Sequence, residues 1–120
     1  MQKQHFLFVV LSPAYGSEKF LSALRLALQL QEQYKEQADL KLFLMSDAVT
    51  GALAKQQPAE GFHLQEMLEL LVARGAQVKL CRTCCTARGV VEAERAKGVE
   101  IGSMADLAQW TFEADKVLNF

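Results

Sequence analysis

The chain has 120 residues, 51% of them hydrophobic and 22% charged, with a formal net charge of −1. That length and composition support one domain over residues 1–120 with a full apolar core, and they exclude a disordered or low-complexity chain. The near-neutral charge gives no global basic field, so nucleic acid is not an expected partner.

Residues 5–12 (HFLFVVLS) are continuously apolar and β-rich, the pattern of a strand covered on both faces. The run is too short for a membrane span or a signal-peptide core, so a soluble, cytoplasmic protein with no membrane association is expected. Pro13-Ala14-Tyr15-Gly16 breaks the strand, and Ser17 can cap a helix with Glu18 in its first turn. Phe20, Leu24, Ala27, Leu28 and Tyr34 then recur at helical spacing. A second strand is expected at 40–45 (LKLFLM), ended by Ser46-Asp47, with a short helix reaching about residue 55. Residues 57–61 (QPAEG) form the longest loop signal. A helix from about 62 to 74 presents Leu64, Met67, Leu68 and Leu71 on one face, and Gly75 supplies its stop.

A third strand at 77–80 delivers the segment Cys81-Arg82-Thr83-Cys84-Cys85. Arg88-Gly89 leads into a modest helix or turn ending near Lys97-Gly98. A short strand at 99–101 follows. Ser103 caps a helix carrying Met104, Leu107, Ala108 and Phe112, and 116–120 (KVLNF) closes the chain as a fifth strand. Apolar strands alternating with helices predict a parallel sheet with helices on both faces. Ligands in such sheets bind outside the carboxyl ends of the strands. Those ends carry residues 12–16, Ser46-Asp47, residues 81–85 and Gly102-Ser103.

The thiols are the main chemical candidates. From residue 70 to residue 91 there is no Asp or Glu, while Arg74, Lys79, Arg82 and Arg88 lie within that stretch. Positive charge favours the thiolate, which is the nucleophilic form. Arg82, Arg88 and the N–H groups of a helical turn starting near Thr83 or Cys84 would lower the pKa of Cys81 at the strand end. Against this stands the tendency of cysteine to fill small apolar gaps. Three chemical readings compete: a Cys81/Cys84 redox dithiol, a zinc site, and a single reactive Cys81 modulated by Cys84 and Cys85. Zinc needs four ligands, and this loop supplies at most three. Asp47 is either a helix cap or a rim carboxylate. Tyr15 and Gly16 belong to a loop that can face the rim or anchor itself, without a phosphate-loop fingerprint. His63 reads as a surface or interface residue, and Trp110 and Phe112 as packing in the core or between subunits.

Taken in order, Pro13-Ala14-Tyr15-Gly16-Ser17, the segment 43–49 (FLMSDAV), Cys81 placed eight residues before Gly89 of Arg88-Gly89-Val90, and the closing 115–120 (DKVLNF) resemble the DsrE/DsrF family, nearest its YchN-like branch. The resemblance spans essentially the whole chain. It implies a three-layer α/β/α sandwich with a five-stranded parallel sheet and a homo-oligomer, commonly a trimer or hexamer. It also implies sulfur carriage as a persulfide on Cys81, as in relay subunits such as TusD and DsrE, with donor and acceptor proteins as partners. Cys84 matches a second cysteine of the YchN-like branch and can act as a resolving thiol. Cys85 is an extra thiol that the relay subunits lack. No metal or organic cofactor is required. The competing expectation is a non-catalytic oligomeric domain that binds a small anion or regulates a partner, its cysteines incidental.

Overall fold

The computed structural model describes residues 2–59 and 63–120. Its elements are β1 (Gln4–Val10), α1 (Lys19–Tyr34), β2 (Ala38–Leu44), α2 (Leu64–Ala73), β3 (Gln77–Cys81), α3 (Arg82–Ala87), β4 (Glu100–Gly102), α4 (Met104–Glu113) and β5 (Lys116–Asn119), with 3-10 turns at Lys35–Gln37 and Ser46–Ala52. The strands lie in the order β4-β3-β2-β1-β5, every neighbouring pair parallel. Connections from β1 to β4 each step one strand in the same direction, and the last crosses the sheet to the opposite edge. Parallel crossovers are right-handed, so α1 and α2 cover one face and α4 the other. The result is the expected three-layer α/β/α sandwich around a five-stranded parallel sheet.

The two faces differ in chemistry. Phe6, Phe8 and Val10 stand beside Leu40, Leu42 and Leu44, and Val78 and Leu80 extend the same layer. This apolar sheet face takes the buried side of α1 (Phe20, Ala23, Leu24, Ala27) and of α2 (Leu68, Leu71). The opposite face carries Asp39, Lys41 and Phe43 of β2 with Lys79 and Cys81 of β3. Trp110 holds α4 there, edge-on to Phe43 with ring centres 6.2 Å apart. Lys79 Nζ sits 5.0 Å from the Trp110 ring centre and 3.5 Å from Asp106 Oδ2, so one cation serves both residues of α4.

All five strands occur near their expected places. Ser103 does cap α4, and reciprocally: the Asp106 N–H donates to Ser103 Oγ, and the Ser103 N–H to Asp106 Oδ2. Gly75 ends α2 with a φ of +104°, a conformation that favours glycine. Other details differ. Ser17 is not the cap of α1; Glu18 holds that position without a side-chain bond, and Ser17 Oγ accepts only the Lys19 N–H. The segment after β2 winds as a 3-10 turn over Ser46–Ala52 in place of a helix to residue 55. Its tightness has a cause at Gly51, where a Cβ would lie 2.6 Å from Cζ of the buried Phe20 ring. Residues 90–98 form a turn segment tied to that one by Ala54 N–H to Glu94 O and Ala96 N–H to Ala52 O. The expected helix start near Phe62, and Glu60-Gly61 of the loop, lie outside the described residues.

At the amino end of the sheet, Asp39 Oδ2 lies 2.7 Å from Lys41 Nζ and 2.8 Å from His5 Nδ1. Burial pushes the Asp39 carboxyl up, but the hydrogen bonds from Lys41 and His5 outweigh it and leave the group below its ordinary value. A lowered carboxylate contributes stability above its unfolded pKa and loses it as pH falls through the folded one. Asp39→Asn should therefore cost about 1–2 kcal/mol of unfolding free energy at neutral pH. Urea unfolding of both proteins should show that difference closing in acid, below the ordinary carboxylate range.

Candidate functional site

Parallel pairing decides which residues meet at the carboxyl rim. Phe43 stands beside Lys79 and Leu44 beside Leu80, so β3 leaves the sheet next to Met45-Ser46. On the other side Cys81 pairs with Gly102, where a Cβ would come within 2.9 Å of the Lys79 side chain. The chain turns into α3 at once, with Cys81 as its cap residue. Arg82-Thr83-Cys84-Cys85 then make the first turns of a helix six residues long. Cys84 falls back over Cys81, and Cys85, one helical step on, turns inward.

This placement corrects the expected exposure of the thiols. Cys81 is only 4% exposed and Cys85 is fully buried at 0%, both within the apolar core. Cys85 therefore does not belong to the rim. Cys84 is half-buried and is the most accessible of the three thiols. Nor does the Cys81 sulfur accept a capping hydrogen bond from the N–H groups of α3.

Cys84 is the best-connected sulfur. The Ser46 N–H donates to its Sγ at 3.1 Å, and Cys81, the cap residue of the same helix, is its neighbour. Ser46 adopts φ +53°, the left-handed region that a non-glycine residue occupies at a cost, and that turn aims its N–H across the gap between strand ends. Burial pushes the Cys84 thiol up. The Ser46 N–H pulls it down, the neighbouring Cys81 pushes it up again, and Arg88 pulls it down; the net is upward. Burial likewise raises Cys85, with Cys81 and Cys84 adding to it against Arg95 and Arg88.

The expected electropositive pocket is largely cancelled in space. Arg74 pairs with Glu32 of α1 at 3.7 Å, Lys79 with Asp106 of α4 at 3.5 Å, and Arg88 with Asp47 at 2.8 Å. Arg82 is exposed and takes no such partner among the described residues. Asp47 does not cap the 3-10 turn, whose cap position is Met45. Its Oδ1 accepts both Nε (3.0 Å) and Nη2 (2.8 Å) of Arg88, whose Nη1 donates to the Cys84 carbonyl at 3.1 Å. This clamp fastens α3 to the end of β2.

Cys81, Cys84, Asp47 and Arg88 thus form one cluster. Tyr15 and Gly16 do not join it. Tyr15 is 52% exposed and its hydroxyl donates to Gln56 Oε1, while Gln56 Nε2 donates to the carbonyls of Thr50 and Leu53. Gly16, at φ +88°, shapes the loop ahead of α1. The contribution of Ser46 escaped the sequence reading because a backbone group makes it; its one signal is the break at Met45-Ser46-Asp47. Among the described residues, no three His, Cys, Asp or Glu side chains converge as a metal site would need.

The reactivity order follows from these contacts. Iodoacetamide should modify Cys84 first and Cys81 more slowly, with Cys85 reacting only on unfolding. The Cys84 rate should keep rising with pH through the ordinary thiol range near ~8.5. Peptide mapping of the alkylated chain reads the order, and a thiol already saturated at neutral pH would contradict it.

With the geometry in place, the relatives are informative. Residues 4–120 match the DsrE/DsrF-like family. Protein YchN of Escherichia coli (strain K12) is 50% identical over 117 residues, spanning 98% of this chain and 99% of that protein. An uncharacterized protein of Methanopyrus kandleri is 40% identical over 113 residues, spanning 93% of this chain and 91% of its own. The crystal structure of the E. coli ychN protein superposes with a TM-score of 0.93 at 51% identity over the whole of both chains. A Methanobacterium thermoautotrophicum protein of unknown function shares the fold at a TM-score of 0.77 and 12% identity. The chain belongs to the DsrE/DsrF-like family.

Proposed function

We propose that this chain is a sulfur carrier that holds sulfane sulfur as a persulfide on Cys81 and passes it to a partner thiol. The observation that carries the reading is the pair of neighbouring thiols, Cys81 at the end of β3 and Cys84 in the first turn of α3, at the carboxyl rim of a DsrE/DsrF-like sheet. In loading, a Cys81 thiolate takes the outer sulfur of a persulfide, whose inner sulfur leaves as a thiolate. In delivery, an acceptor thiolate takes the terminal sulfur from Cys81-S-SH, and Cys81 leaves as thiolate. At 4% exposure the stored atom is sheltered from bulk thiols that would strip it. Cys84 can instead attack the inner sulfur of Cys81-S-SH, which releases hydrosulfide and closes a disulfide. Arg88 is the cation placed to stabilise anionic sulfur beside Cys84, with the exposed Arg82 available to an incoming donor. The chemistry needs no metal or organic cofactor.

The same reading makes the chain one DsrE/F-like domain over residues 1–120, a cytoplasmic homo-oligomer, trimer or hexamer, that works with donor and acceptor proteins and not directly with nucleic acid. No described helix is long and apolar enough to cross a membrane. Phe112 at 92% and Met104 at 57% exposure give α4 apolar surface suited to association.

A second reading has an observation of its own. The burial of Cys81 and the raised thiols of Cys84 and Cys85 favour an oligomeric anion-binding or regulatory domain with incidental cysteines. Intact mass after exposure to a persulfide donor and a brief wash with a small thiol separates the two. The wild type should retain one added sulfur per chain, and Cys81→Ser none. Equal retention by Cys81→Ser would overturn the assignment to Cys81, and a wild type that takes up no sulfur would establish the second reading.

A further inference from the structure

We propose that Cys84 is the receiving thiol, and that sulfane sulfur reaches Cys81 by internal transfer from it. This rests on the persulfide-carrier reading and adds the route by which the atom arrives. A donor persulfide must bring its outer sulfur into line with the attacking thiolate. Cys81, 4% exposed at the start of α3, offers no such approach, whereas the half-buried Cys84 lies three residues on in the same helical turn, beside it and nearer the surface. Cys85, at 0% exposed, takes no part.

The route balances without an oxidant or reductant. The Cys84 thiolate attacks the outer sulfur of R-S-SH; a Cys84–sulfur bond forms, the donor S–S bond breaks, and RS⁻ departs. Cys81, having released its proton to solvent, then attacks the outer sulfur of Cys84-S-SH. A new S–S bond forms on Cys81, the one on Cys84 breaks, and Cys84 leaves as thiolate.

The surroundings of Cys84 suit both steps. The Ser46 N–H, already 3.1 Å from Sγ, faces the negative charge that grows on that atom as it leaves. The Asp47–Arg88 pair, joined through Arg88 Nη1 to the Cys84 carbonyl, keeps the residue from turning away from Cys81. A thiol of raised pKa is ionised only in small part at neutral pH, but its thiolate is the stronger nucleophile once formed. Receipt should accordingly quicken as pH rises.

Glutathione persulfide is the probe. Samples quenched at short times and mapped by mass should show added sulfur on Cys84 first and on Cys81 afterwards in the wild type. Cys84→Ser keeps an acceptor for the Ser46 N–H, and it should slow the loading of Cys81 by about tenfold or more. Cys81→Ser should load Cys84 at the wild-type rate and lose that sulfur to a small-thiol wash. If Cys84→Ser loads Cys81 at the wild-type rate, or wild-type Cys81 gains sulfur before Cys84, the internal route is wrong and the carrier reading stands. If no wild-type cysteine gains sulfur, both fall together. The time course in the wild type decides the matter even if a variant folds poorly.

Discussion

A backbone N–H at the end of β2 reaches a sulfur on α3, and what the thiol cluster can do depends on that contact. It exists because β2 and β3 run parallel in one register and because Ser46 accepts a left-handed turn. Such a conformation costs on the order of 1–3 kcal/mol and persists only where its neighbours fix it. They do so here. Leu42, Phe43 and Leu44 are fully buried before it, Ala48 and Val49 after it, and Asp47 beside it is gripped by Arg88. The thiols thus rest on a rigid floor, and Cys84 gains a hydrogen-bond donor that no side chain supplies.

Charge acts differently from the way the linear sequence suggests. A stretch with four cations and no acid looks like a place where thiols ionise at rest. In the fold, Glu32 comes from α1, Asp106 from α4 and Asp47 from the end of β2, and each meets one of those cations. Burial then has the larger say over Cys84 and Cys85. Cys84 and Cys85 thus favour their protonated forms more than free thiols do. Sheltered thiols of this kind are slow to oxidise by accident, because susceptibility follows thiolate character and exposure. The proposed store of sulfane sulfur would gain from that restraint.

Much of the architecture was legible because it rests on local pattern. The runs HFLFVVLS and LKLFLM could only be strands covered on both faces, and Gly75 and Ser103 mark helix ends through chemistry that needs no tertiary information. The end of β3 placed the start of the cysteine segment at the carboxyl rim for the same reason. What stayed hidden depends on neighbours distant in sequence. Cys84 and Cys85 are adjacent and identical in type, yet one faces the rim and the other the core; CRTCCTA has no apolar periodicity to set the phase of its helix. The acid partners of Arg74, Lys79 and Arg88 were invisible for want of a fold. Ser17 failed as a cap by a single residue, a shift too small for pattern to resolve.

The central claim is that the sulfur at residue 81 is a sheltered store reached past Cys84. A crystal structure of the protein after exposure to a persulfide donor, with sulfur atoms located by anomalous scattering, tests it most directly. The account predicts one extra sulfur bonded to Cys81 Sγ, with Cys84 unmodified and still within reach of the Ser46 N–H. Extra sulfur resting on Cys84 or Cys85 while Cys81 stays bare would contradict it.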